Sequence, residues 1–253
     1  MRTILLKLRF LGTRYHGWQV QENAKSVQEV LQDAVEQILG SRESVTGCSR
    51  TDSGVHANMY CCTLRTEKTI GCYKLIGALN AKLPRDIAVY SAEEVPASFH
   101  PRYDCVAKRY RYIICNGPAR DPFYEDRALY YHYPLDEAFL NAQVQDFVGT
   151  HNFTSFTNSP EVVNGNVRTV RSAAVIRDGE RVEFLVEADG FLYNMVRIMV
   201  GTVLALAEGK RTPGSIPDIL AAEDRTAAGV TAPACGLYLD RVFYEEPEEE
   251  TNG

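Results

Sequence analysis

"SVQEVLQDAVEQILG", Ser26 to Gly40, is the stretch from which the fold can be read outward. Ser26 stands where an N-cap belongs, and Glu29 completes a capping box with it. Val27, Val30, Leu31, Ala34, Val35, Ile38 and Leu39 recur at helical spacing and share one apolar face. Gly40 supplies the left-handed stop. A polar, glycine-containing loop, "GTRYHGWQ", precedes this helix, and before the loop "TILLKLRFLG" has the β-prone residues and partial alternation of a strand. A short strand is predicted near Val45, then a strand in "NMYCCTLR", a helix in "YKLIGALNAKL" stopped by Pro84, and a strand in "DIAVYSAEEV". The order is β-α-β-β-α-β, a ferredoxin-like split unit.

The rest of the chain repeats that order without visible sequence identity. "YDCVAKRYRYIICN" reads as a long strand and "LDEAFLNAQVQDFVG" as a helix. "RTVRSAAVIRDGERVEFLVEA" reads as a hairpin turning at Asp178-Gly179. "FLYNMVRIMVGTVLALAEGK" follows as a long apolar helix, "IPDILAA" as a short one, and "GLYLDRVFYEE" as a closing strand. The expected architecture is α+β: two ferredoxin-like (RRM-like) halves, residues 1–103 and 104–246, with joined antiparallel sheets and a catalytic cleft between them. Residues 247–253 form an acidic tail.

At 253 residues and 45% hydrophobic content, the chain can bury a real core. Lys+Arg 27 against Asp+Glu 33 gives a net charge of -6, which argues weakly against nucleic acid as a partner. Five of the acids, Glu245, Glu246, Glu248, Glu249 and Glu250, crowd the C-terminus, so the body is close to neutral and local patches matter more than the sum. No segment is long and apolar enough to span a bilayer, and "MRTILLKLRF" lacks a signal-peptide core. Seven cysteines without C-x-x-C spacing speak for reduced thiols and against a zinc site, and so for the cytoplasm. No P-loop, Rossmann, HExxH or GxSxG pattern is present, which favours chemistry without cofactor or metal.

Three stretches carry candidate chemistry. In "GCSRTDSGVHA", Asp52 lies between a threonine and a Ser-Gly turn, with Arg50 nearby to favour its ionised form. A positioned carboxylate can serve as nucleophile or general base. Aspartates that merely bond their own turn are far commoner, and His56 is more often a packed residue than a catalyst. In "AKRYRY", strand alternation puts Lys108, Tyr110 and Tyr112 on one face and Arg109 and Arg111 on the other. Basic residues interleaved with aromatics suit a surface that holds phosphates and stacks bases; a solvated edge strand fits equally well. In "FLYNMVRIMVG", Arg197 is a charge at the start of an otherwise apolar helix, either paired with a carboxylate such as Asp52 or snorkelling to solvent.

Taken together, "GCSRTDSGVHA", "GTRYHGWQ", "SVQEVL", "NAKLPRDIAV", "SFHPRYDCVAKRYRY", "NFTSF", "FLYNMVRIMVG" and "GLYL" resemble, in order and over nearly the whole chain, the tRNA pseudouridine synthase A family. That family's signature is close to G-A-G-R-T-D-A-G-V-H-A. The resemblance implies isomerisation of uridine to pseudouridine in the tRNA anticodon stem-loop, typically at tRNA positions 38 to 40. It implies Asp52 as the catalytic nucleophile, Arg197 as its partner and Tyr110 against the flipped base; Arg50, Arg109 and Arg111 are the accompanying candidates for substrate binding. A homodimer with tRNA lying across both subunits, and no metal or organic cofactor, are implied as well. Cys48, Ser49, Ser53, Leu11 and Asn194 depart from the family pattern without removing any of these residues. The rival readings are a paralogue with a different or narrower RNA target, and a non-catalytic RNA-binding protein. Whether the carboxylate attacks C1' or C6, or removes a proton, stays open.

Overall fold

The computed structural model describes residues 1–159 and 165–245, and the acidic tail lies outside them. The chain is a mixed α/β protein whose strands pair mostly antiparallel. It divides into two compact units, Met1–Lys108 together with the chain from Leu239 onward, and Arg109–Tyr238.

The first unit runs β1 (Arg2–Phe10), α1 (Val27–Leu39), β2 (Ser44–Gly47), β3 (His56–Thr66), α2 (Cys72–Lys82) and β4 (Ile87–Val95). Its strand order is β4-β1-β3, with β2 also on β3 and every pair antiparallel. The Ser26 hydroxyl accepts from Glu29 N–H, the Glu29 carboxylate accepts in return from Ser26 N–H, and Gly40 closes the helix at φ 75°. Val27, Leu31, Ala34, Val35 and Leu39 are buried, each aliphatic side chain among them contributing roughly 1.5–3 kcal/mol. Ile4, Leu6, Leu8 and Leu64 of the sheet, and Leu75 and Leu79 of α2, complete the core with no exposed surface.

The second unit runs β5 (Ala107–Cys115), β6 (Leu129–Tyr130), α3 (Glu137–Val144), β7 (Gly149–Asn152), β8 (Val167–Asp178), β9 (Arg181–Ala188), α4 (Met195–Ala207) and α5 (Ile216–Ala222). Its strands lie in the order β5-β9-β8-β7, with β6 parallel to β5. The turn at Asp178-Gly179 is where the sequence put it, with Gly179 at φ 61°. The last strand, β10 (Leu237–Phe243), lies beside β3, and Asn58 donates to Asp240 across that pair at 2.9 Å.

Several elements are shorter than their sequence patterns. The strand expected from Tyr103 begins only at Ala107, because His100 to Asp104 close a hydrogen-bonded turn instead. The helix expected to reach Gly149 stops at Val144 and tightens into a 3-10 turn, Gln145–Phe147, leading into β7. The Gln145 amide donates to Ala173 O of β8 at 2.9 Å and ties that turn to the sheet. The long apolar helix begins only at Met195, because Asn194 sits in the left-handed region at φ 61°. Among the described residues no helix is long and apolar enough to cross a membrane.

Candidate active site

Asp52 occupies the connection from β2 to β3, and a second loop, residues 12–18, holds that connection in place. Trp18 N–H donates to Thr51 O at 3.4 Å and Gly54 N–H to Tyr15 O at 3.1 Å. Gly12 N–H donates to His56 Nδ1 at 2.9 Å. Val55 N–H returns to Asp52 O at 3.2 Å, so Asp52 heads a tight turn. The approach is so close that a methyl group on Gly17 would lie 2.1 Å from Thr51 O, and one on Gly12 would lie 2.0 Å from Val55 O. Gly17 is also at φ 79°, where other residues are strained.

The bracing loop is itself anchored. Val27 N–H donates to Gly17 O and Gln28 N–H to Trp18 O, so the first turn of α1 satisfies its open donors on the loop. Trp18 stacks on Tyr60 of β3 at 4.0 Å between ring centroids, and the Tyr60 hydroxyl donates to Ser49 O just ahead of the Asp52 turn. The Tyr15 hydroxyl donates to Asp86 at 2.8 Å. Burial, and then that bond to a carboxylate, push its pKa far above the ordinary tyrosine value.

Asp52 itself is half-buried and Arg50 is exposed. His56 is fully buried and accepts through Nδ1, a packed residue that braces the loop. Thr51, immediately before Asp52, is 8% exposed, and its hydroxyl has no hydrogen-bond partner among the described residues. Cys48 is fully buried, which pushes its thiol well above the usual range.

In the second unit, Arg197 lies in the first turn of α4, with Nε donating to Ala232 O at 2.7 Å and a terminal nitrogen to Asn194 Oδ1 at 2.9 Å. Ala232 N–H returns to Arg197 O at 3.1 Å, and Gly229 N–H donates to the Thr202 hydroxyl at 2.8 Å. The segment 229–232 is thus clasped along α4 and aims the guanidinium. The second unit also holds Tyr110, 7% exposed on β5 and edge-on to Phe191 at 4.9 Å. Tyr112 is fully buried and donates to Pro233 O. Lys108, Arg109 and Arg111 are half-buried, and Arg111 faces Glu183 of β9 at 3.4 Å.

Sequence reasoning singled out Asp52, Tyr110 and Arg197 but passed over the residues that fix the Asp52 turn: Tyr15, Gly17, Trp18 and Tyr60. The signal for Tyr15, Gly17 and Trp18 was the pairing of glycines with aromatics in "GTRYHGWQ", which as a pattern says only "loop"; Tyr60 lies in "NMYCCTLR", which reads only as a strand.

A family profile described as "tRNA pseudouridine synthase" matches residues 8–104 and 143–245. A tRNA pseudouridine synthase A of Clostridium acetobutylicum is 42% identical over 96% of this chain and 100% of its own length. Relatives of the same name from Ruminiclostridium cellulolyticum and Geotalea daltonii are 42% and 38% identical, also over 96% of this chain and all of theirs. Among solved structures, a chain of the archaeal box H/ACA sRNP Nop10-Cbf5 complex superposes over 80% of this chain and 43% of that one, at 14% identity and a TM-score of 0.37. That likeness is too distant to inform the fold.

Proposed function

The chain belongs to the tRNA pseudouridine synthase family and is an isomerase that converts uridine in tRNA to pseudouridine; we propose that Asp52 is its nucleophile and the anticodon stem-loop its target. The observation that carries the assignment to Asp52 is its turn. It is half-buried on a loop pinned by backbone hydrogen bonds to residues 12–18, which fixes the backbone that carries the carboxylate.

The chemistry conserves atoms and electrons. The C1'–N1 bond of uridine breaks, the uracil turns, C5 bonds to C1', and the proton lost from C5 is balanced by one gained at N1. Nothing in that sequence calls for a redox partner or a metal. It calls for a carboxylate that captures or stabilises the sugar and base while they are apart. Arg197 pairs with that carboxylate and keeps it ionised, where a bare carboxylate removed from water would take up a proton. The guanidinium suits the task because its backbone and Asn194 contacts already fix its direction. Tyr110 contacts the displaced base and offsets the stacking lost on flipping, which costs a few kcal/mol. The two units follow a ferredoxin-like plan, supported in the first by its β4-β1-β3-β2 pairing. Arg50, Arg109 and Arg111 serve the RNA backbone, the active form is a homodimer, and the compartment is the cytoplasm.

The target assignment is tested by mapping pseudouridine in bulk tRNA from cells with and without this protein. Loss confined to positions 38 to 40 supports it. Loss elsewhere assigns a different target, and an unchanged map removes the activity.

A further inference from the structure

The segment "SFHPRYD", residues 98–104, enters neither the Asp52 turn nor the Tyr110 strand, yet its exposed corner is fixed by several hydrogen bonds. Tyr103 is 76% exposed and Arg102 is exposed beside it, with its guanidinium carbon 6.0 Å from the Tyr103 ring centroid. The His100 ring lies 4.3 Å from the same ring.

The exposed pair stands on a locked backbone. His100 Nδ1 accepts from both Arg102 N–H at 3.2 Å and Tyr103 N–H at 3.3 Å. With two donors converging on it, Nδ1 is the unprotonated ring nitrogen. His100 N–H donates to the Asp104 carboxylate at 2.9 Å, and Asp104 N–H returns to His100 O at 3.0 Å. Beneath them Pro101 is buried, its carbonyl accepting from the Tyr244 hydroxyl at 2.9 Å, and Phe99 packs against Tyr244 at 5.0 Å. A tyrosine that merely filled space would face inward. Here a histidine, an aspartate and a distant tyrosine fix a turn whose outcome is an aromatic face and a cation presented to solvent.

We propose that Arg102 and Tyr103 form an RNA-docking corner separate from the catalytic turn, with His100 as the residue that positions them. Arg102 takes a backbone phosphate, and Tyr103 stacks on an unpaired base or ribose of the tRNA. A pre-organised aromatic beside a guanidinium suits single-stranded or looped RNA, because stacking tolerates any base while the cation follows the backbone. The corner rests on the tRNA substrate proposed above and adds binding, not chemistry.

The test uses the full chain and one tRNA transcript. Tyr103→Ala, Arg102→Gln, His100→Ala and His100→Asn are compared with wild type for tRNA affinity across a salt series. Single-turnover pseudouridine formation at saturating tRNA is followed in parallel. Tyr103→Ala should weaken binding about fivefold or more, the effect of losing one stacked base. Arg102→Gln should flatten the log-log salt slope by about 0.7–0.9, the loss of one phosphate contact. His100→Asn, which restores an acceptor near Nδ1, should bind like wild type, whereas His100→Ala should follow Tyr103→Ala. All should keep the saturating rate. If His100→Ala fails to fold, the exposed Tyr103 and Arg102 positions and the His100→Asn comparison still decide. Wild-type affinity and slope in both Tyr103→Ala and Arg102→Gln would overturn the proposal. So would a change of sedimentation in Tyr103→Ala with RNA affinity intact, which would make the corner a contact between copies of this chain. Failure of the parent reading looks different, since wild type itself would then neither retain nor modify tRNA.

Discussion

At the scale of single residues, Thr51 and Arg197 each carry a consequence that a single substitution reads. The Thr51 hydroxyl is sealed from solvent and unpartnered among the described residues, a state that costs roughly 1–3 kcal/mol. Thr51→Val keeps the shape and removes that cost, so its thermal midpoint should equal or exceed that of wild type. A midpoint lowered by several degrees would mean that the hydroxyl has a structural partner after all. Arg197→Met removes a guanidinium fixed by Ala232 O and Asn194 Oδ1. If Arg197 depresses the Asp52 pKa, its loss raises that pKa, and the carboxylate then ionises only at higher pH. Turnover should fall steeply and the acid limb of the rate profile should move up in pH. A near-normal rate with an unmoved acid limb would end the proposed pairing.

At the scale of elements, the decisive contact is loop on loop. Gly17→Ala would drive a methyl carbon into Thr51 O at 2.1 Å, in a left-handed conformation at φ 79°. The expected cost is about 1–3 kcal/mol or more, with turnover lost beyond what the destabilisation explains. Urea unfolding checks it, and an unchanged midpoint would mean that residues 12–18 do not brace the Asp52 turn. The same scale separates what the sequence could and could not tell. α1 was legible from cap to cap because Ser26, Glu29, the apolar stripe and Gly40 all act locally. The start of α4 was not, since the apolar pattern extends back past Asn194 and only the left-handed backbone there, at φ 61°, sets where the helix begins. The early half of the "YDCVAKRYRYIICN" pattern failed for a related reason. His100 offers its ring nitrogen to two backbone donors, a competitor for the β ladder that alternation does not register. Local pattern read Asp52 only as a turn aspartate, and the family resemblance alone singled it out, because the loop at residues 12–18 that pins its turn is distant in sequence.

For the molecule as a whole, burial of thiols sets an upper pH limit. Burial lifts the Cys61 pKa from 9.0 to about 11, and Cys62 rises well above its ordinary value for the same reason. The folded state therefore holds these protons where the unfolded chain releases them. Stability is fully present below pH 9 and falls as pH rises toward about 11. Urea midpoints at pH 8 and pH 10.5 should differ in wild type, and by less in Cys61→Ala; an identical pH loss in the variant would contradict the assignment. The account as a whole stands on one residue, the carboxylate of Asp52 on its pinned turn. The C5 proton of uridine is released only when C5 bonds to C1', so tritium freed from tRNA labelled at uridine C5 counts completed isomerisations. The measurement is that release under single turnover, with Asp52→Asn purified free of wild type and its fold and tRNA affinity verified. The account predicts an Asp52→Asn protein that melts and binds tRNA like wild type and releases no tritium above background. Tritium release by that protein at a measurable fraction of the wild-type rate would contradict it.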